Sequence, residues 1–172
     1  MSTALADTTR ATAQVLAANG WQVVAVAGQE CCGALHGHSS LPEGARGLAR
    51  RNIGAFEKLG VDAIVVNSAG CGAFLKHYDR LLEGDPGYRE RARLFSAKVK
   101  DVLELLNSRE LAPDMMPLDY TVTYQEPCHL AHAQGVRQAP RKLLRAIPGL
   151  KLVEMEEPSL CCGSAGLYNL SK

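Results

Sequence analysis

The triplet Cys-Cys-Gly occurs twice in this chain, at Cys31-Cys32-Gly33 and at Cys161-Cys162-Gly163, and each copy has one further cysteine at long range. Cys71 follows the first copy in Ser68-Ala69-Gly70-Cys71-Gly72, and Cys128 precedes the second in Glu126-Pro127-Cys128-His129. All six cysteines belong to this repeated pattern. Adjacent thiols can close only a strained vicinal disulfide, and strained bonds are readily reduced. Free cysteine also fills core gaps, but packing does not explain a doublet that recurs with the same glycine after it. Thiolates hold thiophilic metals well, so the fold has to bring distant sulfurs together. Gly33, Gly70, Gly72 and Gly163 would let the backbone approach a bulky group or take positive φ.

Structural zinc is usually held by cysteine pairs with two residues between them, and no such pair exists here. Iron–sulfur clusters are held by thiolates at varied spacing, and adjacent thiolates can reach different irons of one cluster. An iron–sulfur cluster is therefore the expected cofactor, with Cys31, Cys32, Cys71, Cys128, Cys161 and Cys162 as its ligands. Zinc through Cys128, His129, His132 and another thiol stays open as an alternative. His129 and His132 read first as hydrogen-bond donors to sulfide or thiolate, or as exposed side chains, since neutral imidazole serves either role. His36 and His38 carry the same ambiguity, and His77 reads as surface. A dithiol–disulfide switch at either doublet is the reading without metal.

At 172 residues the chain can form one domain with a real core, or two small halves sharing one. Its 47% hydrophobic and 22% charged residues are ordinary for a globular protein. A net charge of +1 speaks against a nucleic-acid partner, which would need a basic stripe. Arg46, Arg50 and Arg51, like Arg141, Lys142 and Arg145, read as solvated helix faces. No run approaches the roughly 20 apolar residues that span a bilayer, and the first residues lack a secretory pattern. The expected location is cytoplasmic, or peripheral on the inner face of the membrane through partners. In such a reducing compartment these cysteines are metal-binding or redox-active. No glycine-rich dinucleotide or P-loop motif is present.

Periodicity alternates helix and strand. Residues 3–19 read as a helix stopped by Gly20, and 21–27 as a strand leading to the first doublet. Ala45, Leu48, Ala49, Asn52, Phe56 and Leu59 recur at helical spacing up to Gly60. A strand at 63–66 delivers Cys71. A turn at 83–87 precedes a helix near 89–107, and 108–118 is a connector. A strand at 120–124 delivers Cys128, a helix at 139–147 follows, and a strand at 150–154 leads to Cys161. A last helix begins near Ser164. This is an α/β pattern with mostly parallel strands flanked by helices. Cysteines just after strand ends lie on the edge where open α/β sheets bind ligands, so all six sulfurs are expected on one rim.

Taken together, these segments resemble the CCG cysteine-rich domain. The matching stretches are Cys31-Cys32-Gly33-Ala34-Leu35-His36, Ile64 to Gly72, Tyr124 to His132 and Leu160 to Gly166. The domain occurs in heterodisulfide reductase, in the anaerobic glycerol-3-phosphate dehydrogenase small subunit, and in lactate-utilisation and glycolate oxidase iron–sulfur subunits. Pro127-Cys128-His129-Leu130-Ala131-His132, with Arg145 to Leu150 after it, looks most like the glycolate oxidase subunit. The resemblance implies a single CCG-type domain over 1–172, in two pseudo-symmetric Rossmann-like halves at about 1–110 and about 118–172. It implies a [4Fe–4S]-type cluster that relays electrons from flavin-dependent 2-hydroxy acid oxidation to a quinone-type acceptor. The partners would be flavin-containing sister subunits.

The family repeat has an opening cysteine, the adjacent pair, then one or two closing cysteines. Cys31, Cys32 and Cys71 match the later part of the first repeat. Cys128, Cys161 and Cys162 match the opening part of the second. The missing members are expected before Met1 and beyond Lys172, and Phe74 stands where some members carry a second closing cysteine. The chain is thus expected to be an internal piece of a longer subunit, without the ferredoxin-like modules of the oxidase subunit.

Overall fold

The structure, a computed structural model, describes residues 5–163. Helix α1 (Ala6–Ala18) buries Leu16, and Gly20, at φ 80°, turns the chain out of it as expected for a left-handed stop. Residues 21–27 do not form the expected strand: Val23 and Val24 are exposed, and no ladder includes this segment. A β-branched run favours extended backbone, but a strand also needs a partner and a buried face, and this one has neither.

After the short helix α2 (Ala34–His38), helix α3 (Pro42–Glu57) starts on a proline and buries Ala45, Leu48, Ala49, Asn52 and Ile53. That spacing of three and four residues makes one continuous stripe. Gly60, at φ 60°, reverses the chain into β1 (Ile64–Val66). Helices α4 (Ala69–Leu75), α5 (Tyr78–Leu81) and α6 (Arg89–Lys98) follow.

The helix expected over 89–107 is in fact three elements. It breaks at Val99, which turns extended (ψ 125°) and begins β2 (Val99–Asp101), parallel to β1 with Val99 opposite Ile64. Val99 is 1% exposed, so a β-branched side chain gains more in the sheet core than in a continued helix. Asp101 then caps a new helix, α7 (Val102–Leu106). Its carboxylate accepts from Leu103 N–H at 2.9 Å, while Glu104 accepts the Asp101 N–H at 3.3 Å. Glu104 is also gripped by Lys76 (2.6 Å) and Lys100 (3.0 Å).

Burial pushes the Asp101 carboxyl above its ordinary range. A raised folded-state pKa contributes stability at low pH that is lost as the pH rises through it. Asp101→Ala should therefore cost about 1–2 kcal/mol through the lost cap. Asp101→Asn, which keeps the acceptor without the buried charge, should be at least as stable as wild type at about pH 7. Urea denaturation of both variants at neutral and acid pH checks this.

The second half opens with β3 (Thr121–Val122), parallel to β4 (Lys151–Leu152), with helix α8 (Gln138–Ala146) between them. Both strands are shorter than the expected 120–124 and 150–154. Gly149 (φ 78°) ends the α8 connection where a Cβ would lie 3.1 Å from the Leu118 carbonyl oxygen. The fold is α/β with parallel strand pairs, and among the described residues the two pairs do not join into one sheet. The helix expected from Ser164 lies outside the described residues. The main core gathers Ile53, Ile64, Tyr78, Leu82, Phe95 and Val99, with the Tyr78 and Phe95 rings stacked at 5.3 Å.

Candidate metal centre

Both doublets end in a left-handed glycine, Gly33 at φ 87° and Gly163 at φ 76°. At Gly33 the reason is double. The backbone sign suits only glycine, and a Cβ would lie 3.3 Å from Ala45 Cα on α3. Strain and overpacking together should make Gly33→Ala cost about 1–3 kcal/mol. The midpoint of urea unfolding measures it.

The first doublet is held by its backbone. Asn52, 1% exposed on the buried stripe of α3, accepts the Glu30 N–H at 2.8 Å and donates to the Cys31 carbonyl at 3.1 Å and to Tyr78 Oη at 3.2 Å. Tyr78 Oη then donates to the Cys32 carbonyl at 2.7 Å. Burial pushes the Tyr78 phenol above its ordinary range, which keeps it a donor. These bonds fix the backbone at both cysteines. Cys31 is exposed and Cys32 buried.

Cys71 lies in the first turn of α4, which β1 and Asn67-Ser68 deliver beside the doublet. The Cys32 and Cys71 thiols act on each other. Donation from Cys32 holds the Cys71 thiol below its ordinary range, and the Ser68 side chain adds to that. The same contact pushes Cys32 up, and burial pushes it further. Thiol donors, one of them readily ionised, give Cys31, Cys32 and Cys71 the donor chemistry an iron–sulfur group needs, but the three side chains do not close around one point in this structure. Phe74, one turn after Cys71 on α4, is in edge contact with His38 and Tyr78.

In the second half Cys128 immediately precedes a π-helix, His129–Ala133. The strand end is stitched to the segment before the second doublet by Glu126 N–H to the Pro158 carbonyl (2.7 Å) and Gln125 Nε2 to the Leu160 carbonyl (3.2 Å). Cys161 and Cys162 are exposed, and the Gly163 N–H lies 3.4 Å from Cys161 Sγ. The π-helix packs on α4, the helix that carries Cys71. Gln134 Nε2 donates to the Ala69 carbonyl at 2.9 Å, and a Cβ at Gly72 would strike that amide at 2.8 Å. The helix that bears Cys71 therefore meets the π-helix that Cys128 precedes, and α7 packs on α8 beside them. Among the described residues no three His, Cys, Asp or Glu side chains close around one point.

His36, His38, His77, His129 and His132 are all exposed. His132 Nδ1 is taken by Arg137 at 2.9 Å, and the His129 ring lies over Gly70. Arg141 is not part of a solvated face, as the sequence suggested. It is 8% exposed and bridges Glu126 and Glu154. Sequence reasoning did not assign Asn52, Tyr78 or Ser68 to the site. A polar residue on the apolar stripe of α3 was the available signal for Asn52; nothing local marked the other two.

The chain matches the CCG cysteine-rich domain over residues 1–76 and again over 122–172. Each match contains one doublet and its distant cysteine. This chain belongs to the CCG cysteine-rich domain family. It is 44% identical over 172 residues to a probable glycolate oxidase iron-sulfur subunit of Bacillus subtilis, covering 99% of this chain and 39% of that protein. It is 36% identical to the glycolate oxidase iron-sulfur subunit of Escherichia coli, covering 96% of this chain and 41% of that protein. It is 30% identical to lactate utilization protein A of Geobacillus kaustophilus, with 94% and 67% covered. The chain thus spans about two fifths of the glycolate oxidase relatives it matches. No solved structure matches it. No helix among the described residues is long and apolar enough to cross a membrane.

Proposed function

We propose that this CCG domain is the iron–sulfur electron-transfer part of a glycolate oxidase-type complex. The observation that carries the reading is that each of the two stretches matching the family holds one Cys-Cys-Gly doublet and its distant cysteine, with Cys71 in the first turn of α4 and Cys31 exposed. Cys31, Cys32 and Cys71 would hold one group, and Cys128, Cys161 and Cys162 would supply the second half, toward a [4Fe–4S]-type cofactor. When bound, such a group supplies one-electron transfer. The chain's own residues fix its shape. Asn52 and Tyr78 lock the doublet backbone, Ser68 favours the Cys71 thiolate, and buried Cys32 with Phe74 excludes water from the inner side. Exposed Cys31 leaves an edge that a partner centre can approach. Electrons would arrive from flavin-dependent oxidation of a 2-hydroxy acid on a sister subunit and leave to a quinone-type acceptor, with membrane association through the complex.

Anaerobic reconstitution with iron and sulfide tests this directly. The expected result is a brown protein with thiolate-to-iron absorption and a paramagnetic signal on reduction or oxidation. Cys71→Ser should lose the iron of the first half while the protein stays folded. A colourless product holding stoichiometric zinc would replace this reading with a zinc-stabilised interaction module. A lactate-type partner, by contrast, would show in which sister subunits co-purify.

A further inference from the structure

We propose that Arg137 is a positioning residue: one guanidinium clasps the Cys128 turn from both sides and fixes the tautomer of His132. The inference rests on the iron–sulfur reading only insofar as Cys128 is a ligand. Arg137 Nη1 donates to Glu126 Oε2 at 2.6 Å, two residues before Cys128. Arg137 Nη2 meets His132 Nδ1 at 2.9 Å, four residues after it. The two contacts straddle Pro127-Cys128 and most of the π-helix that begins at His129. A π-turn is a rare backbone state that persists where something holds it, and it is frequent at functional sites. Here the holding group is a planar fork with two arms set at a fixed angle.

The chemistry fixes the proton. A guanidinium has donors only and stays charged, so His132 Nδ1 accepts and the ring proton sits on Nε2. In that tautomer His132 presents an Nε2–H donor and cannot ligate a metal through Nδ1. The other groups in contact with this assembly make the clasp rigid. Arg141 Nη1 takes the second oxygen of Glu126 at 2.7 Å, and Arg141 Nε reaches both oxygens of Glu154. Arg145 completes Glu154 at 2.9 Å, and the Arg141 guanidinium lies 5.3 Å from the centre of the Tyr124 ring. Glu126 is 7% exposed, so Arg137 pulls against an anchor that is itself buried and doubly paired.

The test has two readouts on the whole chain. In cluster-free protein, nitrogen-15 shifts of the His132 ring should show the Nε2–H tautomer, and Arg137→Met and Arg137→Lys should both lose it, because an ammonium is a compact point charge without the fixed fork of a guanidinium. A wild-type ring in the Nδ1–H form, or an unchanged ring in Arg137→Met, overturns the clasp. After reconstitution, both variants should retain iron several-fold less well and shift the midpoint potential of the remaining centre. His132→Gln, whose amide offers the same acceptor and donor, should behave as wild type where His132→Ala does not. Variants that lose only thermal stability, with iron content and potential unchanged, reduce Arg137 to a structural contact and also overturn the proposal. If wild type takes up no cluster at all, the functional reading fails and the ring shifts alone decide the clasp.

Discussion

Asn52→Ala is expected to lower the free energy of unfolding by about 3 kcal/mol, among the largest effects of any single truncation in this chain. The side chain is small, so lost apolar packing contributes little. What matters is that three polar groups lose their partner at once. The Glu30 N–H loses its acceptor, the Cys31 carbonyl loses a donor, and buried Tyr78 Oη loses the amide that oriented it toward the Cys32 carbonyl. Each such buried group left unpaired costs about 1–3 kcal/mol, and partial access of water near exposed Cys31 keeps the sum below the simple total. Asn52→Asp should be no better, because it keeps one acceptor, loses both donors and buries a charge. Urea denaturation with an unchanged slope measures the effect. A loss under about 0.5 kcal/mol, the size of an ordinary surface change, would mean that the doublet is held by something else. The same variant should loosen Cys31 and Cys32 enough to weaken metal uptake.

Asn52 also shows which parts of the architecture the sequence could express. Helix stops were legible because Gly20, Gly60 and Gly149 mark a backbone sign that no other residue takes cheaply. The buried stripe of α3 was legible as period, Asn52 included. The break at Val99 was not, because Phe95, Val99, Val102 and Leu106 satisfy a helical period equally well. Only a partner strand, Ile64–Val66, decides for the sheet. Residues 21–27 fail in the opposite sense: local preference says strand, and no partner arrives. At the site, the doublets and their glycines pointed to the CCG family, which the matches over both stretches show. The contact of Cys32 with Cys71, and Tyr78 closing on the Cys32 carbonyl, depend on long-range packing of α3, α4 and α5 that no local pattern encodes. The charge network around Arg141 was hidden for a similar reason. Three basic residues on one helix look solvated until buried Glu126 and half-exposed Glu154, from two other segments, are folded against them.

Glu126→Ala should prove at least as damaging as Asn52→Ala, at about 3–5 kcal/mol. Removing one carboxylate leaves Arg141, whose side chain is 10% exposed, with Glu154 as its remaining anion, and leaves Arg137 without its inner anchor. A buried charge left with one half-exposed partner is more costly than a broken surface pair. The exposed Arg91–Glu57 pair, also made through two guanidinium nitrogens, gives the contrast: Glu57→Ala should cost at most about 1 kcal/mol. Salt should separate the two further, since it screens the exposed pair and barely reaches the buried one. Glu126→Gln should fall between, because it keeps an acceptor for one arginine and turns an amide N–H toward the other. The decisive comparison is the double variant Glu126→Ala with Arg141→Met. Taking away both partners removes the orphaned charge, so the pair should be more stable than Glu126→Ala alone. Simple addition of the two losses would show instead that Glu126 and Arg141 act independently, and that the network contributes packing rather than charge pairing.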